Sequence, residues 1–298
     1  MPGPSGMTRP MAALPFLVCG LPKSGTTFLQ RTLNLHPEIS CPSEQSFDAL
    51  ASIIEQMLAH YAGVLETMDR RTGGQGASQY GATIRDEILR STIGTLSKSF
   101  ARGRPIHGLN DNSIFTAIER FDNLLGHPRI VAIVRNPVDV GLSEWRHNKR
   151  LAREEPRMAR AHFPAIDDPS LTVERYLEKR LPSYLRKVDA FLAFADGRGN
   201  VMVVRYEQLV ANKAFELGRM LDFLGAGHTA DMIAGMVAGS SRKAMASASR
   251  VPAFFGLDAD DPDRATVSRE FRRAMLDASM SPRMKQIGYD VASLMVGH

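Results

Sequence analysis

A chain of 298 residues, 44% of them hydrophobic, has ample apolar material for a core, and its formal charge of +5 suits an anionic ligand as well as an ordinary basic surface. No long single-sign run marks a nucleic-acid tail, no basic–aromatic interleaving marks a single-strand platform, and no apolar run approaches a membrane span. Two cysteines, Cys19 and Cys41, are too few for a disulfide framework or a zinc site, so no metal centre is expected.

Residues 1–13, rich in Pro, Gly and Ser, read as a flexible extension, and residues 14–298 as one domain. The apolar run Leu14-Pro15-Phe16-Leu17-Val18-Cys19 predicts a buried strand, followed by the turn Gly20-Leu21-Pro22-Lys23-Ser24-Gly25 and a helix patterned by Phe28, Leu29 and Leu33. The run leads straight into the turn, so a cleaved signal would destroy it, and a soluble, cytoplasmic protein is expected. The first helix should stop near His36-Pro37. Ser43-Glu44-Gln45-Ser46 offers helix-start chemistry before a second apolar face at Phe47, Leu50, Ile54, Met57 and Leu58. Residues 71–81 read as a loop, 83–100 as a helix, 104–109 as a short strand and 115–125 as a helix.

Arg129 to Val134 is the clearest buried strand after the first; it ends at Arg135-Asn136-Pro137 and opens a helix through Trp145. A basic, proline-punctuated loop is expected over 153–170, a helix interrupted by Pro182 over 171–195, and a strand over 200–205 with Tyr206-Glu207 at its exit. Helices at 212–224 and 229–238, an irregular stretch at 250–264 and a last helix at 266–278 complete the order. Strands alternating with helices imply an α/β domain with a central, mostly parallel sheet covered on both faces, whose ligands sit at the carboxyl ends of the strands. Lys23, Arg135 and Tyr206 all lie just past such ends.

A strand, a glycine-containing loop and a helix together aim backbone N–H groups at one anion. Gly20 and Gly25 have the separation of a Walker A loop, but Thr26-Thr27 stands where Lys-Ser/Thr belongs, and the lysine sits inside the loop at Lys23. Pro22-Lys23-Ser24-Gly25-Thr26-Thr27-Phe28-Leu29 resembles instead the 5′-phosphosulfate loop of sulfotransferases that use 3′-phosphoadenosine 5′-phosphosulfate (PAPS). Arg135-Asn136-Pro137-x-Asp139 with Ser143 resembles that family's 3′-phosphate signature. Tyr206-Glu207-x-Leu209 resembles the strand exit whose tyrosine reaches the adenine or its ribose phosphate. Ser240 stands where family members carry a Ser or Thr against the adenine. The family's later Arg-Lys-Gly loop is not matched: Arg242-Lys243-Ala244 departs from it, and Arg242, Lys243 or Arg250 is left to close on the 3′-phosphate. Gly288-Tyr289-Asp290 resembles a common family ending.

The resemblance implies a P-loop-like sulfotransferase fold, PAPS as cosubstrate and 3′-phosphoadenosine 5′-phosphate (PAP) as product. It also implies transfer to a hydroxyl or amine of a small-molecule or carbohydrate acceptor, with Lys23 neutralising the leaving oxygen and Ser24 restraining the lysine until acceptor binds. Asp139 is expected to brace rather than touch an anion, because a carboxylate beside a phosphate repels it. The base is open between Glu44, near where carbohydrate and tyrosyl sulfotransferases carry a glutamate, and His107, roughly where cytosolic small-molecule sulfotransferases carry a histidine. A P-loop kinase or NTPase, or a non-catalytic nucleotide-binding protein, are the other readings, and a homodimer is left open.

Overall fold

Five parallel strands form one sheet in the order β2-β3-β1-β4-β5: β1 (Phe16–Gly20), β2 (Ile39–Ser40), β3 (Ile106–Asn110), β4 (Ile130–Val134) and β5 (Val201–Arg205). The computed structural model describes residues 14–74, 82–163, 168, 170–247 and 267–295. The expected extension at 1–13, most of the 71–81 loop, Arg250 and the irregular 250–264 stretch lie outside the described residues.

Alternation sorts the strand side chains between two apolar layers. Leu17, Cys19, Ile130, Ala132 and Val134 face one layer, with Leu109 beside them. Phe16, Val18, Val131, Ile133, Met202 and Val204 face the other. Because both faces are covered, β1 and β4 are buried throughout, which is why their sequences read as unbroken apolar runs rather than alternating ones.

The second layer is built from α1 (Thr26–Leu33), α9 (Tyr206–Ala211), α10 (Lys213–Leu224) and α11 (Ala230–Gly239). The first holds α2 (Phe47–Thr72), α3 (Ala82–Ala101), α4 (Asn112–Thr116), α5 (Ile118–Leu125), α6 (Pro137–Glu154), α7 (Pro156–His162) and α8 (Val173–Ala195), and the C-terminal helices α13 (Arg269–Ser279), α14 (Pro282–Gln286) and α15 (Val291–Met295) close over it. A short helix, α12 (Arg242–Ser247), follows α11.

Several elements differ from the sequence reading. The helix expected over 115–125 is two helices, because Asp111 caps a new start by accepting from the Ser113 N–H at 2.7 Å and the chain bends at Ala117. The loop expected from 153 is helical as far as it is described up to His162: α6 runs on to Glu154, and Pro156 then takes the first helical position, where its missing N–H is harmless. Pro182 does not interrupt α8; it is exposed, so the carbonyl it leaves unpaired is not sealed in apolar surroundings. The last helix begins at Arg269 rather than 266 and is followed by two short ones.

The pairing of β3 with β1 sets a tight contact that can be tested. Gly108 of β3 lies opposite Phe16 of β1, and a Cβ there would stand 2.5 Å from the Phe16 ring. Gly108→Ala is expected to cost roughly 1–3 kcal/mol by overpacking, read in urea unfolding as a lower midpoint with an unchanged slope.

Candidate active site

The loop after β1 is closed by one carbonyl. Leu21 accepts from the Ser24 N–H at 3.0 Å and from the Ser24 hydroxyl at 2.6 Å, and Ser24 is fully buried. The turn leaves Lys23 at φ 70° and Gly25 at φ 107°. The left-handed region costs a non-glycine residue on the order of 1–2 kcal/mol, so Lys23 is held there by its surroundings. Gly25 has a second reason to be glycine: a Cβ would stand 2.7 Å from the Tyr206 ring. Gly25 opens α1 with no side-chain cap, so the first-turn amides at Thr26 and Thr27 have no side-chain acceptor and the helix dipole points at the loop. The Thr26 hydroxyl donates to Asn112 Oδ1 at 3.0 Å, while Pro22 and Thr27 are exposed at the rim.

Register brings the other two motifs to the same level. Gly20 pairs with Ile133 and Val134 with Arg205, so the residues that follow each strand emerge together. Arg135 Nη1 donates to the Lys23 carbonyl at 3.3 Å, and its guanidinium carbon lies 4.4 Å from the Tyr206 ring centre. Phe28 of α1 meets the same ring edge-on at 6.3 Å. Arg135 Nε is buried without a hydrogen-bond partner. A buried donor left unmet costs on the order of 1–3 kcal/mol, so an anion is the group this position fits.

Ser143 is half-buried, two helical turns along α6, whose start is capped by Asn136 Oδ1 accepting from the Val138 N–H at 3.0 Å. Asp139 pairs with Arg272 of α13 at 2.5 Å and so braces the helix, as its charge requires. Glu207 joins the strand exits: it accepts from the Asn136 N–H at 2.7 Å and from the Tyr289 phenol at 2.7 Å. Arg205 lies over the Tyr289 ring at 4.4 Å. The carboxylate beside it and burial hold the Tyr289 phenol well above its ordinary range, so it stays a neutral donor. Tyr289 carried only a faint signal in the sequence, its place in the terminal Gly-Tyr-Asp.

Burial, and after it the charge of Arg150, lower the pKa of the Lys23 ammonium to about 8, with Glu144 and Glu44 acting in the opposite direction. Glu44 is exposed, and its carboxylate does not cap α2. That helix starts at Ser46 without a side-chain cap, and Asp111 accepts from the Phe47 N–H at 2.6 Å instead. Glu44 is therefore available to the lysine and to whatever lies beside it. Glu144 is a further carboxylate in this neighbourhood that the motif reading passed over, although it directly follows Ser143 in the helix.

His107 stands elsewhere. Gly108 is opposite Phe16, so His107 is level with the residue before β1, roughly 17 Å down the sheet from Gly20 at about 3.3 Å per residue. Its Nδ1 lies 2.6 Å from the Ser97 hydroxyl, and burial together with Lys98 lowers its pKa. Its resemblance to the histidine of cytosolic small-molecule sulfotransferases made it a candidate; register puts it at the end of its strand away from the loop.

The segment after α11 lies against α1. Ser240 is buried, its hydroxyl donates to the Val237 carbonyl at 3.1 Å, and its own carbonyl accepts from Lys213 Nζ at 3.1 Å. Arg31 of α1 reaches the Met245 carbonyl at 3.3 Å. Arg242 opens α12, and Lys243 is exposed beside it.

Comparison with known proteins bears on the fold and the family. A solved mouse sulfotransferase, SULT7A1 complexed with PAP, superposes with a TM-score of 0.56 at 16% identity, over 96% of this chain and 88% of that one. The sulfotransferase STF9 from Mycobacterium avium superposes with a TM-score of 0.50 at 12% identity, over 90% of this chain and 76% of that one. At these identities the likeness speaks for the fold. The sequence pattern of the Sulfotransferase family matches residues 15–230, a span that takes in the Lys23 loop, the Arg135 strand end and the Tyr206 exit. On that match over most of its length, this chain belongs to the sulfotransferase family.

Proposed function

We propose that the protein transfers a sulfuryl group from PAPS to a hydroxyl or amine of a small-molecule or carbohydrate acceptor. The observation that carries this reading is the meeting of Lys23, Arg135 and Tyr206 at one level above the parallel sheet. When bound, PAPS supplies the sulfuryl group: the acceptor atom bonds to sulfur as the bond to the bridging 5′-phosphate oxygen breaks, and that electron pair leaves with PAP.

The chain's own part is positioning and charge. The amides of Gly25, Thr26 and Thr27 take the 5′-phosphate at the positive end of α1. Arg135, with its unmet Nε donor, and Ser143 take the 3′-phosphate, and Tyr206, beside Arg135, reaches the adenine or its ribose phosphate. Ser240, Arg242 and Lys243 belong to the segment nearest α1 that can close over it. Lys23 offers its ammonium to the bridging oxygen as negative charge grows there. Ser24 has its hydroxyl committed to Leu21, so it acts by shaping the turn that presents the lysine. Glu44 accepts the acceptor's proton; it is favoured over His107 because its charge acts on Lys23 while His107 stands at the far end of its strand. A kinase reading lacks support at β4, whose tip carries Arg135 where a metal-binding acid would stand. In the described residues no helix is long and apolar enough to cross a membrane.

Lys23→Ala should lower the rate of transfer from PAPS by about a hundredfold or more while leaving PAP binding within a few-fold; full activity in this variant would overturn the role of the lysine. Glu44→Gln should lower kcat by about a hundredfold, whereas His107→Gln should leave it unchanged, measured against a panel of phenols and sugars. The pH profile has a definite sign. A lysine whose pKa is lowered to about 8 is cationic below that pH and neutral above it, so with an acceptor that does not itself titrate kcat/KM should fall as the pH rises through about 8.

A further inference from the structure

Beside the Lys23 loop, a narrow cleft enclosing about 50 Å³ and open to solvent runs between α6 and α8. It begins at Leu21, two residues before Lys23, and is walled by Gly141 and Glu144 of α6 and by Leu181, Tyr184 and Lys187 of α8. Its lining mixes apolar surface from Leu21, Val140 and Leu181 with a few polar groups, which suits part of a ring or short chain with a polar end.

The polar groups of the cleft are unevenly satisfied. Glu144 lies close enough to Lys23 for its charge to act on the ammonium, so this wall reaches the reacting centre. Arg180, also on the lining, is paired with Glu144 through a short charge-assisted hydrogen bond, so these two charges offset each other. Tyr184 sends its hydroxyl toward the Arg135 carbonyl at 3.5 Å, and burial keeps that phenol neutral. Lys187 is exposed, one helical turn past Tyr184, with no carboxylate partner among the described residues. The lining thus carries one uncompensated positive charge. Along α8, Lys187 is separated from Arg180 by about 10 Å at 1.5 Å per residue.

We propose that this cleft is the acceptor site and that it selects a hydroxylated acceptor bearing an anionic group, with the hydroxyl toward Lys23 and the anion toward Lys187. This rests on the sulfotransferase reading above and narrows its acceptor from any hydroxyl or amine to a small hydroxy acid. Glu144 and Arg180 form the inner polar wall, and the Leu21–Leu181 surface carries the apolar body between the two ends.

The test uses the full chain, titrated calorimetrically with 4-hydroxyphenylacetate and with its uncharged amide, both with and without saturating PAP. The acid should bind about fivefold tighter than the amide, the size expected of one partly exposed ion pair. Lys187→Ala should make the two probes equal, Lys187→Arg should restore the preference, and PAP affinity should change by less than about twofold in either variant. Equal binding of acid and amide to the wild type, binding of neither, or a preference that survives Lys187→Ala would each overturn the proposal. Failure of PAP to bind would strike instead at the sulfotransferase reading, and the acid-over-amide comparison is read separately from it.

Discussion

The site depends on where one guanidinium is held. Arg135 leaves the end of β4 and is fixed on two sides, by the Lys23 carbonyl and by the face of Tyr206. Each neighbour comes from a different strand exit, so this residue joins all three. The Lys23 contact turns the loop carbonyl toward the arginine, in keeping with the left-handed conformation at Lys23. The Tyr206 contact brings the ring so near Gly25 that no side chain fits there. A buried Nε donor without a partner then remains at the centre of the arrangement. A buried cationic donor left unmet is costly until an anion or another acceptor reaches it.

The C-terminal segment secures that joint from below. Tyr289 and the Asn136 amide share the Glu207 carboxylate, so the exits of β4 and β5 are tied to each other and to the turn after α14. Arg272 does the same for α6 through Asp139. These partners lie 82 and 133 residues away in sequence. They tie a segment beyond the family match at residue 230 to the exits of the sheet.

Much of this was legible in the chain. β1, β4 and β5 announced themselves as apolar runs, and the order of Lys23, Arg135 and Tyr206 past their ends was enough to predict one pocket. What could not be read was level. His107 stands before the Arg135 strand at a separation somewhat long for the family match, and pairing of Gly108 with Phe16 puts the histidine a full strand length from the loop. Local propensity also misled at Pro156 and Pro182, where proline reads as a break, although the first proline starts a helix and the second sits exposed on one. Asp111 was invisible as the cap of α2 because its partner is 64 residues away. Glu144 and Lys187 carried no motif; only the packing of α6 on α8 brings them to one cleft.

The central claim is that the three strand exits form a site for a nucleotide with phosphates at both 3′ and 5′ positions. Calorimetric titration with PAP and with adenosine 5′-phosphate, each in the presence of a chelator and again with magnesium, on wild type and Arg135→Ala, addresses it most directly. The account predicts that PAP binds without metal, that it binds at least about tenfold tighter than the monophosphate, and that Arg135→Ala removes this margin, as loss of a charged hydrogen bond of about 1.5–3 kcal/mol requires. Equal affinity for the two nucleotides, or binding that needs magnesium, would contradict it.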